Sequence, residues 1–164
     1  MLELKALLNP MPTVTKSDRI NLSSEKKTKE LASKFLKKIK PGCSVFLYGE
    51  IGVGKTTFIR YLINEFQKKN NLDLTEVTSP TFNILNEYQI EDINIKHYDL
   101  YRLKEFNEIN NLGILEDTEN SLILIEWPTL LLDNLNNFIK LSFDYSKDYL
   151  NRELSYENLI KNVS

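Results

Sequence analysis

The most constraining feature of the chain is the run at residues 49–57, which reads GEIGVGKTT. It fits the pattern G-x-x-x-x-G-K-[ST], with Gly49, Gly54, Lys55 and Thr56 in the fixed positions. The preceding residues, 44–48, are apolar and aromatic, as in a buried strand. The following apolar residues recur at helical spacing: Phe58, Ile59, Leu62, Ile63 and Phe66. Strand, glycine-rich loop and helix, in that order, are the context of a phosphate-binding P-loop.

The residue types of this loop suit a phosphate ligand. Glycine tolerates positive φ, so the backbone N–H groups can turn inward as an anion nest at a helix N-terminus. Lys55 is predicted to reach the β- and γ-phosphates, and the Thr56 hydroxyl to bind Mg²⁺. The alternative is a glycine-rich turn before an ordinary helix, which needs neither side chain. The predicted nucleotide-binding run is Gly49, Glu50, Ile51, Gly52, Val53, Gly54, Lys55, Thr56 and Thr57.

Composition predicts one cytosolic α/β domain. The chain has 164 residues, 41% apolar and 27% charged, which is ordinary for a globular protein. It has no apolar run as long as a membrane span and no signal-peptide pattern, and Cys43 is its one cysteine. The net charge is −2, so the lysines of residues 26–40 are interpreted as a solvated helix face in preference to an RNA-binding patch. If RNA is involved, a partner is expected to hold it.

The pattern along the chain predicts a mixed sheet between helices, a three-layer P-loop NTPase-like fold. Residues 1–18, with Pro10 and Pro12, are predicted to be a flexible extension, and residues 19–164 a single domain. The predicted strands are 19–22, 44–48, 81–88, 93–98, 122–125, 138–145 and 153–156. The predicted helices run from a cap at Ser23 or Ser24 to about residue 39, from the loop to about residue 69, and briefly before Gly113.

Two predicted strands end in an acidic residue. Glu126 follows the apolar run 122–125, where a P-loop enzyme needs a carboxylate beside its metal. The alternative is a carboxylate on the surface. Asp99 follows the strand at 93–98 and is a second candidate. His97, the one histidine, is interpreted as a strand residue with a hydrogen bond. Trp127 either shields the site, contacts a partner or only packs.

A third group of polar residues lies at 78–81, which reads TSPT. It is either a turn with local hydroxyl hydrogen bonds or a switch-like loop that senses the γ-phosphate. No Asn/Thr-Lys-x-Asp run follows the P-loop, which favours adenine over guanine. The similar string TKSD at 15–18 precedes the loop. No arginine-rich lid is present, which disfavours a nucleotide kinase.

Together the runs GEIGVGKTT, TSPTFNILNEY, IKHYDLYRL and LILIEWP resemble the bacterial TsaE (YjeE) family, over residues 20–156. The resemblance implies a small P-loop ATPase that serves the synthesis of threonylcarbamoyladenosine beside the anticodon of tRNA. It also implies the TsaB and TsaD proteins as partners.

The resemblance also implies roles for single residues. Lys55 and Thr56 would bind phosphate and Mg²⁺, Glu126 would be the second metal-side group, and Asp99 would act near the metal or the attacking water. Ser79 and Thr81 match the switch-like loop, and Thr28 a hydroxyl position near the nucleotide. Arg152 stands in Asn-Arg-Glu where the family has Gly-Arg-Glu. Apart from the resemblance, Arg102 is a candidate either for an arginine finger in cis or for a contact with a partner.

The sequence therefore predicts a cytoplasmic Mg²⁺-dependent ATPase that acts as a switch on a TsaB–TsaD complex. It would bind ATP and ADP, contact tRNA only through its partners and have no membrane association. Two alternatives stay open: a small-molecule P-loop kinase, and a nucleotide-binding scaffold that does not hydrolyse.

Overall fold

The structure is a computed structural model of the chain that describes residues 19–114, 116, 118–131, 137–147 and 149–160. The predicted extension at 1–18 lies outside the described residues. The strands are β1 (Ile20–Asn21), β2 (Ser44–Tyr48), β3 (Leu85–Ile90), β4 (Ile93–Asp99), β5 (Ser121–Glu126), β6 (Asn137–Tyr145) and β7 (Arg152–Ile160). The helices are α1 (Glu25–Leu36), α2 (Lys55–Lys69) and α3 (Phe106–Asn110), with a 3₁₀ helix at Pro128–Leu131.

The seven strands form one mixed sheet in the order β1-β7-β6-β2-β5-β4-β3. The four central strands are parallel, and β3, β7 and β1 pair antiparallel with their neighbours. The predicted mixed sheet is therefore confirmed. The register sets Asp99 beside Glu126 and Leu47 beside Glu126, so three central strands end at one edge of the sheet.

The sheet separates two apolar cores, because strand residues alternate between its faces. On β2, Val45 and Leu47 belong to the core under α1 and α2, whereas Phe46 belongs to the core on the α3 side. Phe58 of α2 makes edge-to-face ring contacts with Phe35 of α1 and Phe143 of β6, with centroids 5.6 and 5.8 Å apart. These contacts hold the start of α2 against both its neighbouring helix and the sheet.

Several element boundaries differ from the prediction: β7, for example, extends to Ile160 and not only to residue 156. Helix α1 begins after Ser24, whose side chain accepts from Lys27 N as predicted for a cap, but it ends at Leu36 and not near residue 39. There Lys38 N bonds to Phe35 O, a tighter 3₁₀-type closure.

The strand predicted from residue 81 begins at Leu85, so that part of the prediction is wrong. Ile84 N bonds to Pro80 O and closes a turn, and the side chains of Ser79 and Thr81 bond to Asp99 and not to a strand partner.

Of the helices in the part of the chain that the structure describes, none combines the length and apolar character needed to cross a bilayer.

Candidate functional site

The glycine-rich loop joins the end of β2 to the start of α2. Its three glycines have positive φ, at 139° for Gly49, 79° for Gly52 and 114° for Gly54. A Cβ on Gly49 would lie 2.5 Å from the carbonyl oxygen of Phe143, so this position admits no larger residue without a shift of β6. Gly54 is the N-cap of α2 and supplies no side-chain bond, which leaves the first N–H groups of the helix available to an anion.

Lys55 is folded back onto this loop. Its Nζ donates to the carbonyl oxygens of Gly49 at 2.7 Å and Glu50 at 2.9 Å, and it lies 4.1 Å from the centre of the Trp127 ring. The residue is only 4% exposed. Burial lowers the pKa of Lys55, and the nearby carboxylates of Glu126 and Asp99 oppose that shift. The ammonium is thus held at the helix N-terminus with few water contacts.

Glu126 connects the loop to the sheet edge. It is the last residue of β5, 3% exposed, and its Oε1 accepts from the Thr56 hydroxyl at 2.8 Å. The same oxygen lies 2.9 Å from Nε2 of His97, a fully buried residue of β4. A carboxylate is costly to bury without donors, and these two side chains supply them.

Asp99, the last residue of β4, fixes the TSPT loop. Its Oδ2 accepts from the Ser79 hydroxyl at 3.1 Å and from the Thr81 hydroxyl at 2.7 Å, and its Oδ1 accepts from Tyr101 N at 3.1 Å. Asp99 is 5% exposed. Both carboxylates predicted from the sequence therefore lie at one sheet edge, each bonded to predicted hydroxyl residues.

Aromatic rings border the site. Trp127 follows Glu126 with a φ of 58°, and the Tyr101 ring lies 4.9 Å from the Trp127 ring. Ile84, after the TSPT loop, has a φ of 70°, which is rare for a β-branched residue. Such backbone conformations cost of order 1–3 kcal/mol each and cluster at functional sites.

These groups line one open cleft of about 290 Å³. Its lining residues are Ile51, Gly52, Gly54, Lys55, Thr56, Thr57, Ser79, Thr81, Asp99, Tyr101, Glu126 and Trp127. The set combines a cation, a helix N-terminus, hydroxyl groups and carboxylates, which suits a phosphate ester together with a hard divalent cation.

Some predicted site residues lie elsewhere. Val53 is buried in the core. Together with the exposed Glu50 it borders a separate depression beside β6. Thr28 is buried on α1, bonded to Ser24 O at 3.4 Å, and does not line the cleft.

The two predicted arginines also lie outside the cleft lining. Arg152 begins β7, and its Cδ lies 3.8 Å from the position of a Cβ on Gly54, so it borders the loop from the other side. Arg102 donates to Phe82 O at the exposed edge of the TSPT loop.

The contact between His97 and Glu126 was missed from the sequence, and so was Tyr101 in the cleft. The sequence did contain a signal for His97. It precedes Asp99 by two residues on one strand, so strand alternation sets these two side chains on one face of the sheet. The register of β4 against β5 then adds Glu126 to that face. Sequence reasoning assigned His97 a hydrogen bond but not this partner.

Comparisons with known proteins agree on one family. The sequence model described as "Threonylcarbamoyl adenosine biosynthesis protein TsaE" matches residues 22–154. A "tRNA threonylcarbamoyladenosine biosynthesis protein TsaE" of Rickettsia typhi is 46% identical over 110 residues, which are 67% of this chain and 74% of that protein. The protein of the same name from Borreliella burgdorferi is 37% identical over 116 residues, 69% of this chain and 80% of that protein.

A solved structure gives the same fold. Bacillus subtilis YdiB aligns with a TM-score of 0.65 at 22% identity, covering 87% of this chain and 85% of the YdiB chain. At that identity the likeness supports the fold and not the chemistry.

Proposed function

The chain belongs to the TsaE family of threonylcarbamoyl adenosine biosynthesis proteins, and on that premise we propose that it is a Mg²⁺-dependent ATPase. Its hydrolysis would support threonylcarbamoylation of tRNA adenosine as a switch on a TsaB–TsaD complex in the cytoplasm. One observation carries the proposal most directly. The Thr56 hydroxyl at the start of α2 is bonded to the Glu126 carboxylate at the end of β5, at 2.8 Å. Nucleotide hydrolysis in P-loop proteins needs these two groups on one metal.

Phosphate binding is supported by the loop and by Lys55. The positive φ of the three glycines allows backbone N–H groups to turn toward a ligand, at the uncapped end of a 15-residue helix. Lys55 holds its ammonium there against two loop carbonyls, and a phosphate would offer it stronger, charged acceptors. The site would take ATP or ADP.

The donors present fit Mg²⁺. Thr56 and Glu126 offer oxygen, the ligand that Mg²⁺ prefers. No cluster of three or more His, Cys, Asp or Glu side chains suited to a metal occurs among the described residues. That agrees with an ion held by one or two protein groups together with phosphates and water. When bound by Thr56 and Glu126, Mg²⁺ would neutralise the negative charge that develops on the phosphates during hydrolysis.

Hydrolysis would rest on positioning and charge, without a covalent enzyme intermediate. We assign Asp99 to the attacking water, which its buried carboxylate would orient. Ser79 and Thr81 now occupy Oδ2 of Asp99, at 3.1 and 2.7 Å. Release of both hydroxyls toward the nucleotide would free that oxygen, and binding of a nucleotide would in this way change the position of the TSPT loop. Glu126 would bind the metal ion through its carboxylate.

A partner would sense whether nucleotide is bound through the position of the TSPT loop. Residues 79–82 connect the Asp99 carboxylate to an exposed edge, where Phe82 is 87% exposed and contacts Arg102. A partner bound at this edge would distinguish the two positions of the loop. We propose TsaB and TsaD as the partners and contact with tRNA only through them, in keeping with the net charge of −2.

A pull-down tests the partner assignment. Tagged protein is mixed with TsaB and TsaD in the presence of ATP, of ADP and without nucleotide. We expect retention of both partners in at least one nucleotide state, and a difference between states that Lys55→Ala removes. Equal absence of both partners in all three conditions would refute the switch. Phosphate transfer from ATP to a small molecule in preference to water would refute the ATPase.

A further inference from the structure

His97 is the buried titratable residue that the roles above leave without a function. It is 0% exposed and lies on β4, between β3 and β5. The register pairs His97 with Leu124, two residues before the pair formed by Asp99 and Glu126. Its ring therefore lies beneath the carboxylates, on the α2 face, and cannot reach a ligand in the cleft directly.

The two carboxylate oxygens of Glu126 differ in their hydrogen bonds. Oε1 receives both the Thr56 hydroxyl and the His97 ring, at 2.8 and 2.9 Å. Among the residues that the structure describes, no side chain or backbone donor bonds to Oε2. One oxygen of the carboxylate is thus held by the protein, and the other stays available as a ligand.

The two ring nitrogens of His97 also differ in their hydrogen-bond partners. A carboxylate oxygen only accepts, so Nε2 carries the hydrogen in the contact with Glu126. Nδ1 is buried without a partner among the described residues. Burying a ring nitrogen without a hydrogen-bond partner costs free energy, and the apolar neighbours Ile95 and Leu124 have no such cost. The contact with Glu126 is the interaction that offsets this cost.

We propose that His97 is a positioning residue that fixes Glu126, so that one carboxylate oxygen faces the metal beside Thr56. The inference rests on the proposed function, because it assigns a metal to that side. Residues that orient a metal ligand from behind typically contribute about 10- to 100-fold to metal affinity or activity. His97 acts through Glu126 and touches neither nucleotide nor water.

Two substitutions of similar length separate positioning from packing. In His97→Gln the side-chain amide can replace the Nε2 donor, whereas His97→Met fills similar space without a donor. The readouts are Mn²⁺ affinity in the presence of ADP, measured by electron paramagnetic resonance, and the Mg²⁺ concentration that gives half-maximal hydrolysis. Thermal unfolding checks that each variant folds, and His97→Phe replaces the Met variant if that one does not.

We expect His97→Gln to stay within about threefold of wild type and the apolar variant to bind Mn²⁺ roughly 10- to 100-fold more weakly. Equal values for the Gln and apolar variants, whether both normal or both reduced, would overturn the proposal. In the second case His97 would matter for packing and not as a donor.

A double-mutant cycle with Glu126→Gln separates this inference from the function it rests on. If His97 acts through Glu126, the apolar substitution at His97 adds less than twofold to the loss already caused by Glu126→Gln. Independent, multiplied losses would contradict the proposal. If the wild type shows no hydrolysis at all, the ATPase proposal fails, yet the Mn²⁺ affinities still decide the role of His97.

Discussion

The two sides of the glycine-rich loop carry charged residues in opposite environments. On the β4–β5 side, Asp99 and Glu126 are 5% and 3% exposed, and each accepts hydrogen bonds from two side chains. On the β6–β7 side, the charges are at the surface. Arg19 and Glu153 form an ion pair at 2.9 Å with side chains 50% and 28% exposed.

This difference indicates where the chemistry lies. Exposed ion pairs contribute little because water screens them, whereas a buried carboxylate needs its donors in place. The β4–β5 side lies at the edge where parallel strands end, with the helix N-terminus of α2 above it. Substitutions on the two sides therefore test whether the buried charges carry the proposed hydrolysis.

The largest expected effect is at Lys55. Lys55→Ala removes the buried ammonium that would bind the phosphates, and charge-assisted hydrogen bonds contribute roughly 1.5–3 kcal/mol each. We expect ATP affinity to fall at least ~100-fold, measured by isothermal titration calorimetry. Lys147→Ala, an exposed lysine on the β6–β7 side, is the control and should bind as wild type. Equal losses in both variants would contradict the comparison.

The next effect is at Glu126. Glu126→Gln keeps an acceptor for Thr56 and His97 but removes the negative charge at the metal. Hydrolysis should fall on the order of 10²–10³-fold, as for loss of one preorganised electrostatic group, while ATP affinity stays within about threefold. Asp144→Asn, at an exposed position near the end of β6, should hydrolyse normally. Phosphate release at saturating ATP measures both, and full activity in Glu126→Gln would exclude its assigned role.

A smaller effect on ATP affinity is expected when the pH is raised. Because burial lowers the pKa of Lys55, its ammonium is lost at a lower pH than that of an ordinary lysine. Only the charged form attracts phosphate, so ATP affinity should fall as pH rises through that pKa, by up to about tenfold per pH unit. Lys55→Arg keeps its charge and should lack this alkaline decline. The same decline in both proteins would assign it to another group.

The smallest effect is expected at Glu153. Glu153→Gln removes the exposed ion pair with Arg19, so neither the midpoint of thermal unfolding nor hydrolysis should change measurably. A loss of hydrolysis comparable to that of Glu126→Gln would erase the difference between the two sides of the loop.

Much of this arrangement was predictable from local sequence. The loop, the strand before it and the helix after it have the predicted bounds, because their apolar periods are strong and glycine marks the turn between them. The positions of Glu126 and Asp99 followed from two predicted strands that each end in an acidic residue.

Other features depend on contacts between distant residues. The register of β4 against β5 brings His97 to Glu126, 29 residues apart, and no local pattern specifies that register. Likewise residues 81–84 have strand-like composition but form a turn, because Asp99 binds the hydroxyls of Ser79 and Thr81. Long-range hydrogen bonds prevailed over β-propensity there.

Mg²⁺-dependent phosphate release under single-turnover conditions, with protein in excess over ATP, tests the central claim most directly. It is measured with and without TsaB and TsaD, because turnover by the protein alone is expected to be slow. We predict that wild type converts bound ATP to ADP and phosphate with Mg²⁺ and not with a chelator, and that Glu126→Gln binds ATP without converting it. Bound ATP that persists in wild type with Mg²⁺ and both partners would contradict the account.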